Sequence, residues 1–112
     1  ATIITPATDS GLSDDEFVYD GFDNSTNMWY TDVTLVGEGI DAEDGELSGS
    51  SLVWTTDRTD FQSAQLGTGN TITARLYSND CFGEWHTVTL TVTDSDGNIR
   101  TDTRRISIWT LC

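Results

Sequence analysis

From His86 to Thr93 the chain alternates apolar and polar residues without a break, Val88, Leu90 and Val92 against Thr87, Thr89, Thr91 and Thr93. A period of two suits a β-strand with one buried and one wet face, and a helix cannot bury it on one side. The run ends in Asp94-Ser95-Asp96-Gly97-Asn98, where the Asp-Gly pair favours a tight hairpin. A second acidic turn opens the segment DAEDGELSGSSLVWTTD, residues 41–57, and leads into a short apolar run around Trp54. Other segments read the same way. Residues 2–4 form a first strand ended by Pro6, 32–37 set Val33 and Leu35 against Thr34 and Val36, and 52–55 turn Leu52 and Trp54 inward. Residues 71–77 place Ile72, Ala74 and Leu76 on one face, while 103–109 put Ile106 and Ile108 inside and Trp109 on the opposite face. Short strands at this spacing, separated by Gly, Asp and Asn turns, predict an all-β, Greek-key β-sandwich of about seven strands.

No long segment repeats apolar residues at i, i+3, i+4, i+7, which argues against a coiled coil or helical bundle. No apolar stretch is long enough to cross a bilayer as a helix. With 112 residues the chain makes a single domain, 1–112, around one core. Its opening at Ala1 reads as a processed secretory protein or an excised module. Nineteen Asp and Glu stand against five arginines and no lysine, a formal net charge of −14. Such a field repels phosphate backbones and anionic lipid, so neither nucleic acid nor a membrane is an expected partner. It attracts cations, although a solvated or salt-adapted surface has the same composition.

Two cysteines bear on the compartment. If 86–93 and 103–109 pair through the Asp96-Gly97 hairpin, Cys81 just before the first strand and Cys112 just after the second arrive at the same end. A disulfide there adds on the order of 3 kcal/mol in the chain-entropy model. It also implies an oxidising, extracellular or cell-surface location.

Segments 41–57 and 86–98 together resemble the PKD-like group of bacterial and archaeal immunoglobulin-like surface modules, and the resemblance covers residues 33–108. It implies an immunoglobulin-like sandwich with a structural or adhesive, non-enzymatic role, whose partners are other domains or copies of the same protein. The chain departs from that pattern in an acidic insertion after the first strand, about residues 9–27 (DSGLSDDEFVYDGFDNSTN). That stretch reads either as an extra edge strand at 16–19 or as an acidic surface loop, and long loops in compact domains are often functional. It also holds Asn24-Ser25-Thr26, which makes Asn24 a candidate glycosylation acceptor in a secreted protein.

In an immunoglobulin-like sandwich the loops 41–45 and 94–98 lie at one end, which gathers Asp41, Glu43, Asp44, Asp94 and Asp96 as candidate metal ligands. Calcium takes its oxygens from carboxylates, amides and carbonyls, and the resemblance points to Asp41, Asp44 and Asp94 for that ion. The same residues are turn formers, capping their own backbone amides. An EF-hand is excluded, because Gly97 follows Asp94 too early and Arg105 stands where the closing Glu belongs. No organic cofactor is implied, since no phosphate-binding glycine loop, nucleophile elbow or zinc-protease motif occurs. His86, the one histidine, reads as an ordinary surface or hydrogen-bonded residue, and the acids all fall in turns, so acid–base catalysis has no support. Trp54 reads as core. Trp29, Tyr30, Trp85 and Trp109 form a candidate interaction surface that packs under the insertion, against another subunit, or on glycans. Two alternatives to a spacer therefore stand: a filament subunit that lends strand 2–4 to a neighbour's sheet edge, and a carbohydrate-binding accessory module.

Overall fold

The computed structural model describes residues 1–6, 17–18, 21–43, 45–59, 62–78 and 84–109, with backbone alone at 17, 18, 84 and 109. In chain order the strands are β1 (Thr2–Thr5), β2 (Phe17–Val18), β3 (Gly21–Asp23), β4 (Met28–Glu38), β5 (Ile40–Asp41), β6 (Gly45–Glu46), β7 (Leu52–Thr56), β8 (Gln65–Thr68), β9 (Thr71–Ser78), β10 (Glu84–Thr93) and β11 (Ile99–Trp109). One 3₁₀ turn, Gly49–Ser51, precedes β7. The all-β expectation is met.

The first sheet is organised on β4. Strand β9 pairs with residues 29–36 along one edge, so β3 at residues 28–30 and β1 at 36–38 must share the other edge at opposite ends. The second sheet runs β2-β11-β10-β7-β8, antiparallel except where β2 joins β11 in parallel. Strands β5 and β6 form a small ribbon inside the connection from β4 to β7.

Alternation dictates what lies between the sheets. Val33 and Leu35 of β4, Ala74 and Leu76 of β9 and Ile3 of β1 meet Leu52 and Trp54 of β7, Val88, Leu90 and Val92 of β10, and Ile106 and Ile108 of β11, all buried in one cluster. The Trp54 indole donates from Nε1 to the Gly69 carbonyl at 2.8 Å, so its one polar atom is satisfied inside. Gly37 is buried in the same layer because nothing larger fits: a Cβ there would stand 2.6 Å from Leu90 Cδ2 and 2.8 Å from Trp54 Cζ2.

Eleven strands occur among the described residues against about seven expected. Part of the excess comes from the insertion: β2 falls within the edge strand read at 16–19 and lies at the edge of the second sheet, and β3 is a further strand, added to the first. Other strands run longer than their patterns: β4 begins at Met28 and β11 at Ile99. Residues 99–105 show no period, yet each pairs with β10 across the hairpin. Pairing with an established neighbour overrides weak local preference there.

Candidate functional site

The loops 41–45 and 94–98 meet at one end of the molecule. Asp41, Ile40 and Leu47 line one side of a hollow of about 120 Å³, and Val92, Asp94, Asn98 and Arg100 line the other. Asp41 and Asp94 are thus brought together from distant parts of the chain. Glu43 and Asp96 are exposed beside them, and Asp44 lies outside the described residues.

Both facing carboxylates hold their own loops. One Asp94 oxygen accepts the backbone amides of Asp96 and Asn98, each at 2.9 Å, and the other accepts the Asn98 side-chain amide at 3.1 Å. Gly97, at φ +83°, completes the turn with an N–H bond to the Asp94 carbonyl. The Asn98 amide foremost, with Asp96 and the nearby Asp41 carboxyl contributing, holds Asp94 below its ordinary carboxylate range. Asp41 accepts the Glu43 amide at 2.9 Å. Two carboxyl groups this close repel unless a proton or a cation lies between them, and the Arg100 cation borders the same hollow. Among the described residues, no three His, Cys, Asp or Glu side chains gather closely enough to hold a metal ion.

The remaining sequence candidates are dispersed. Trp29 is half-buried against the core and meets Phe22 of β3 edge-to-face at 5.1 Å, so part of the insertion covers it. The Arg75 guanidinium lies 3.8 Å over the Tyr30 ring, and Arg75 also grips both Asp32 oxygens, at 2.8 and 3.1 Å. That grip lowers the Asp32 carboxyl and raises the guanidinium. Trp85 is 42 % exposed, with Arg105 4.7 Å over its ring. Asn24 is exposed in the turn between β3 and β4. The Trp109 side chain, Cys81 and Cys112 lie outside what is described.

Of the two readings of His86 the hydrogen-bonded one holds and the surface one does not: it is fully buried, with Nδ1 and the Thr56 hydroxyl 2.8 Å apart and Nε2 at 2.8 Å from the Tyr77 carbonyl. A carbonyl can only accept, so Nε2 carries a proton. His86 shares parity with Val88, Leu90 and Val92, and that signal was present in the sequence. Nor do all acids fall in turns: Asp32 is mid-strand in β4, and Asp102 in β11 accepts the Ile3 amide at 2.8 Å. Asp102 and its neighbour Arg104, which donates to the Ile3 and Pro6 carbonyls at 2.7 and 2.8 Å, were missed because 99–105 carry no hydrophobic period.

No protein-family model, curated protein or solved structure matches this chain.

Proposed function

We propose that the chain is a non-enzymatic structural or adhesive module of an extracellular or cell-surface protein, folded as a PKD-like, immunoglobulin-like Greek key. The strand order supports the fold: the path leaves the β4 sheet for β7 and β8, returns to it at β9, and crosses again to β10 and β11. The observation that carries the function is how the acid–base groups are used. His86 is enclosed with both ring nitrogens bonded, Asp94 and Asp41 cap their own turns, and Asp32 is held by Arg75. Side chains committed to fixed protein partners are poorly placed to exchange protons with a substrate.

The contact between Asp41 and Asp94 supports calcium as a stabiliser of the loop end, and the cysteines support an oxidising location. Sedimentation velocity and thermal melts in chelator, then in millimolar calcium or magnesium, test the reading. We expect a monomer at all concentrations, a midpoint raised more by calcium than by magnesium, and Asp94→Asn erasing the difference. Concentration-dependent growth would replace the spacer with a filament subunit. Equal shifts with both ions would reduce the acids to turn formers on a screened patch.

A further inference from the structure

The hairpin from β3 to β4 presents Asn24-Ser25-Thr26 at its turn. Of the chain's five asparagines, Asn24 alone stands two residues before a serine or threonine. Asn70 and Asn98 use their side-chain amides within the protein, on the Gly37 and Leu47 carbonyls and on the Asp94 carboxylate. Asn24 is exposed, as are Ser25, Thr26 and Asn27, the residues that join the paired Asp23 and Met28. The turn is braced from its inner side. Asp23 Oδ1 accepts the Ser25 amide at 2.9 Å and the Ser25 hydroxyl at 2.7 Å, and Asn27 reverses the chain at φ +55°. The Thr26 hydroxyl donates to the Asp23 carbonyl at 3.5 Å, a bond long enough to be given up at little cost.

An aromatic ring lies beside this turn. Exposure alternates from β3 into the loop, with Phe22 and Asn24 exposed and Gly21 and Asp23 half-buried. Phe22 therefore shares a side with Asn24, about 6.8 Å back along the strand. Its ring is 43 % exposed and is held against Trp29, edge-to-face at 5.1 Å. We propose that Asn24 is an N-glycosylation site and that the first sugar of its glycan packs on Phe22. The donor is a sugar carried on a polyprenyl pyrophosphate. The Asn24 amide nitrogen bonds to the anomeric carbon as the bond from that carbon to the pyrophosphate oxygen breaks; the amide gives up one proton and the polyprenyl pyrophosphate leaves. Thr26, two residues on, supplies the hydroxyl that completes the acceptor. The C–H groups of a sugar ring suit the negative face of an aromatic ring. The site lies at the Met28 end of β4, and the acidic hollow follows the Glu38 end, about 34 Å away along the strand. A bulky glycan there leaves the loops 41–45 and 94–98 open.

The site rests on the extracellular reading, which brings the chain to a transferase, and one experiment separates the two. Mass mapping of the native protein should show a glycan on Asn24 and a disulfide between Cys81 and Cys112. A bare Asn24 beside an intact disulfide overturns the site alone, and a bare Asn24 beside two free thiols overturns the location with it. The packing is read on the full chain secreted from eukaryotic cells, with its glycan trimmed by an endoglycosidase to one N-acetylglucosamine. Its melting midpoint should exceed, by about 2 °C or more, that of the same chain from tunicamycin-treated cells, which lack the lipid-linked donor. Phe22→Leu, which keeps an apolar side chain against Trp29, should keep the glycan and lose that difference. Phe22→Tyr should keep both. Thr26→Ala should remove the glycan and leave the circular dichroism spectrum unchanged. No glycan in these cells, a glycan that survives Thr26→Ala, no midpoint gain, or a gain that Phe22→Leu leaves whole would overturn the proposal.

Discussion

At the scale of single residues, the tightest constraint is Gly37. Its missing side chain lets β4 approach the layer of Leu90 and Trp54, and neither neighbour has room to withdraw, since both are fully buried and the Trp54 indole is tied to Gly69. Gly37→Ala should therefore cost about 1–3 kcal/mol, the usual effect of forcing an extra carbon into a packed core. A chemical denaturation curve with an unchanged slope and a lowered midpoint is the expected result; an unchanged midpoint would mean the sheets can part there at no cost. Polar residues in the core follow the same logic of close fit. His86 and Thr56 are buried because each has a partner, and removal of either costs the other one of its hydrogen bonds in the core.

At the scale of elements, the first strand is held in an unusual manner. Strand β1 pairs with β4 on one side, while on the other its Ile3 amide and carbonyl and the Pro6 carbonyl are taken by the Asp102 and Arg104 side chains of β11. Side chains thus close an edge that a neighbouring strand would otherwise complete. Arg104→Ala should loosen β1 selectively. Hydrogen exchange at Ile3 should accelerate about tenfold or more, from loss of charge-assisted bonds, while amides of Leu35 and Leu90 hold. Uniform acceleration would place β1 in the global unfolding unit instead. This clasp was not legible in the sequence, because Arg100 to Arg105 alternates polar with polar, and only the register with β10 sets which side chains reach β1. The same reason hides β3, a three-residue strand fixed by its pairing with β4. Where burial differs between faces, as at Val88, Leu90 and Val92 or Val33 and Leu35, the alternation was enough to read strand and inward face. The meeting of Asp41 with Asp94 was legible for a related reason: two loops at the same end of neighbouring strands have little choice of position. Their use as turn braces is a matter of hydrogen-bond geometry, which composition does not carry.

At the scale of the whole molecule, two opposing effects of the carboxylates set the pH response. The net charge of −14 works against compactness at neutral pH and eases as acids protonate. Against it stand Asp94, Asp32 and Asp23, lowered respectively by the Asn98 amide, by Arg75, and by the Ser25 hydroxyl. A carboxyl lowered in the folded state stabilises it fully above the unfolded value, about 4, and that contribution is lost as pH falls through the native value. The two effects therefore act in different windows. From pH 7 towards about 5 the braced carboxylates stay ionised while repulsion begins to relax, so the melting midpoint should hold or rise. Below about 4 the turn braces and the Arg75 pair are protonated away, and the midpoint should fall. Added salt should raise the midpoint more at neutral pH than in acid, because it screens only the repulsion that acid has already relieved. Thermal melts followed by circular dichroism across this range, with Asp32→Asn beside the parent, read both effects: the variant should show a shallower loss below about 4. A midpoint that keeps rising into strong acid in both proteins would mean that repulsion alone governs stability and that the braced carboxylates contribute nothing.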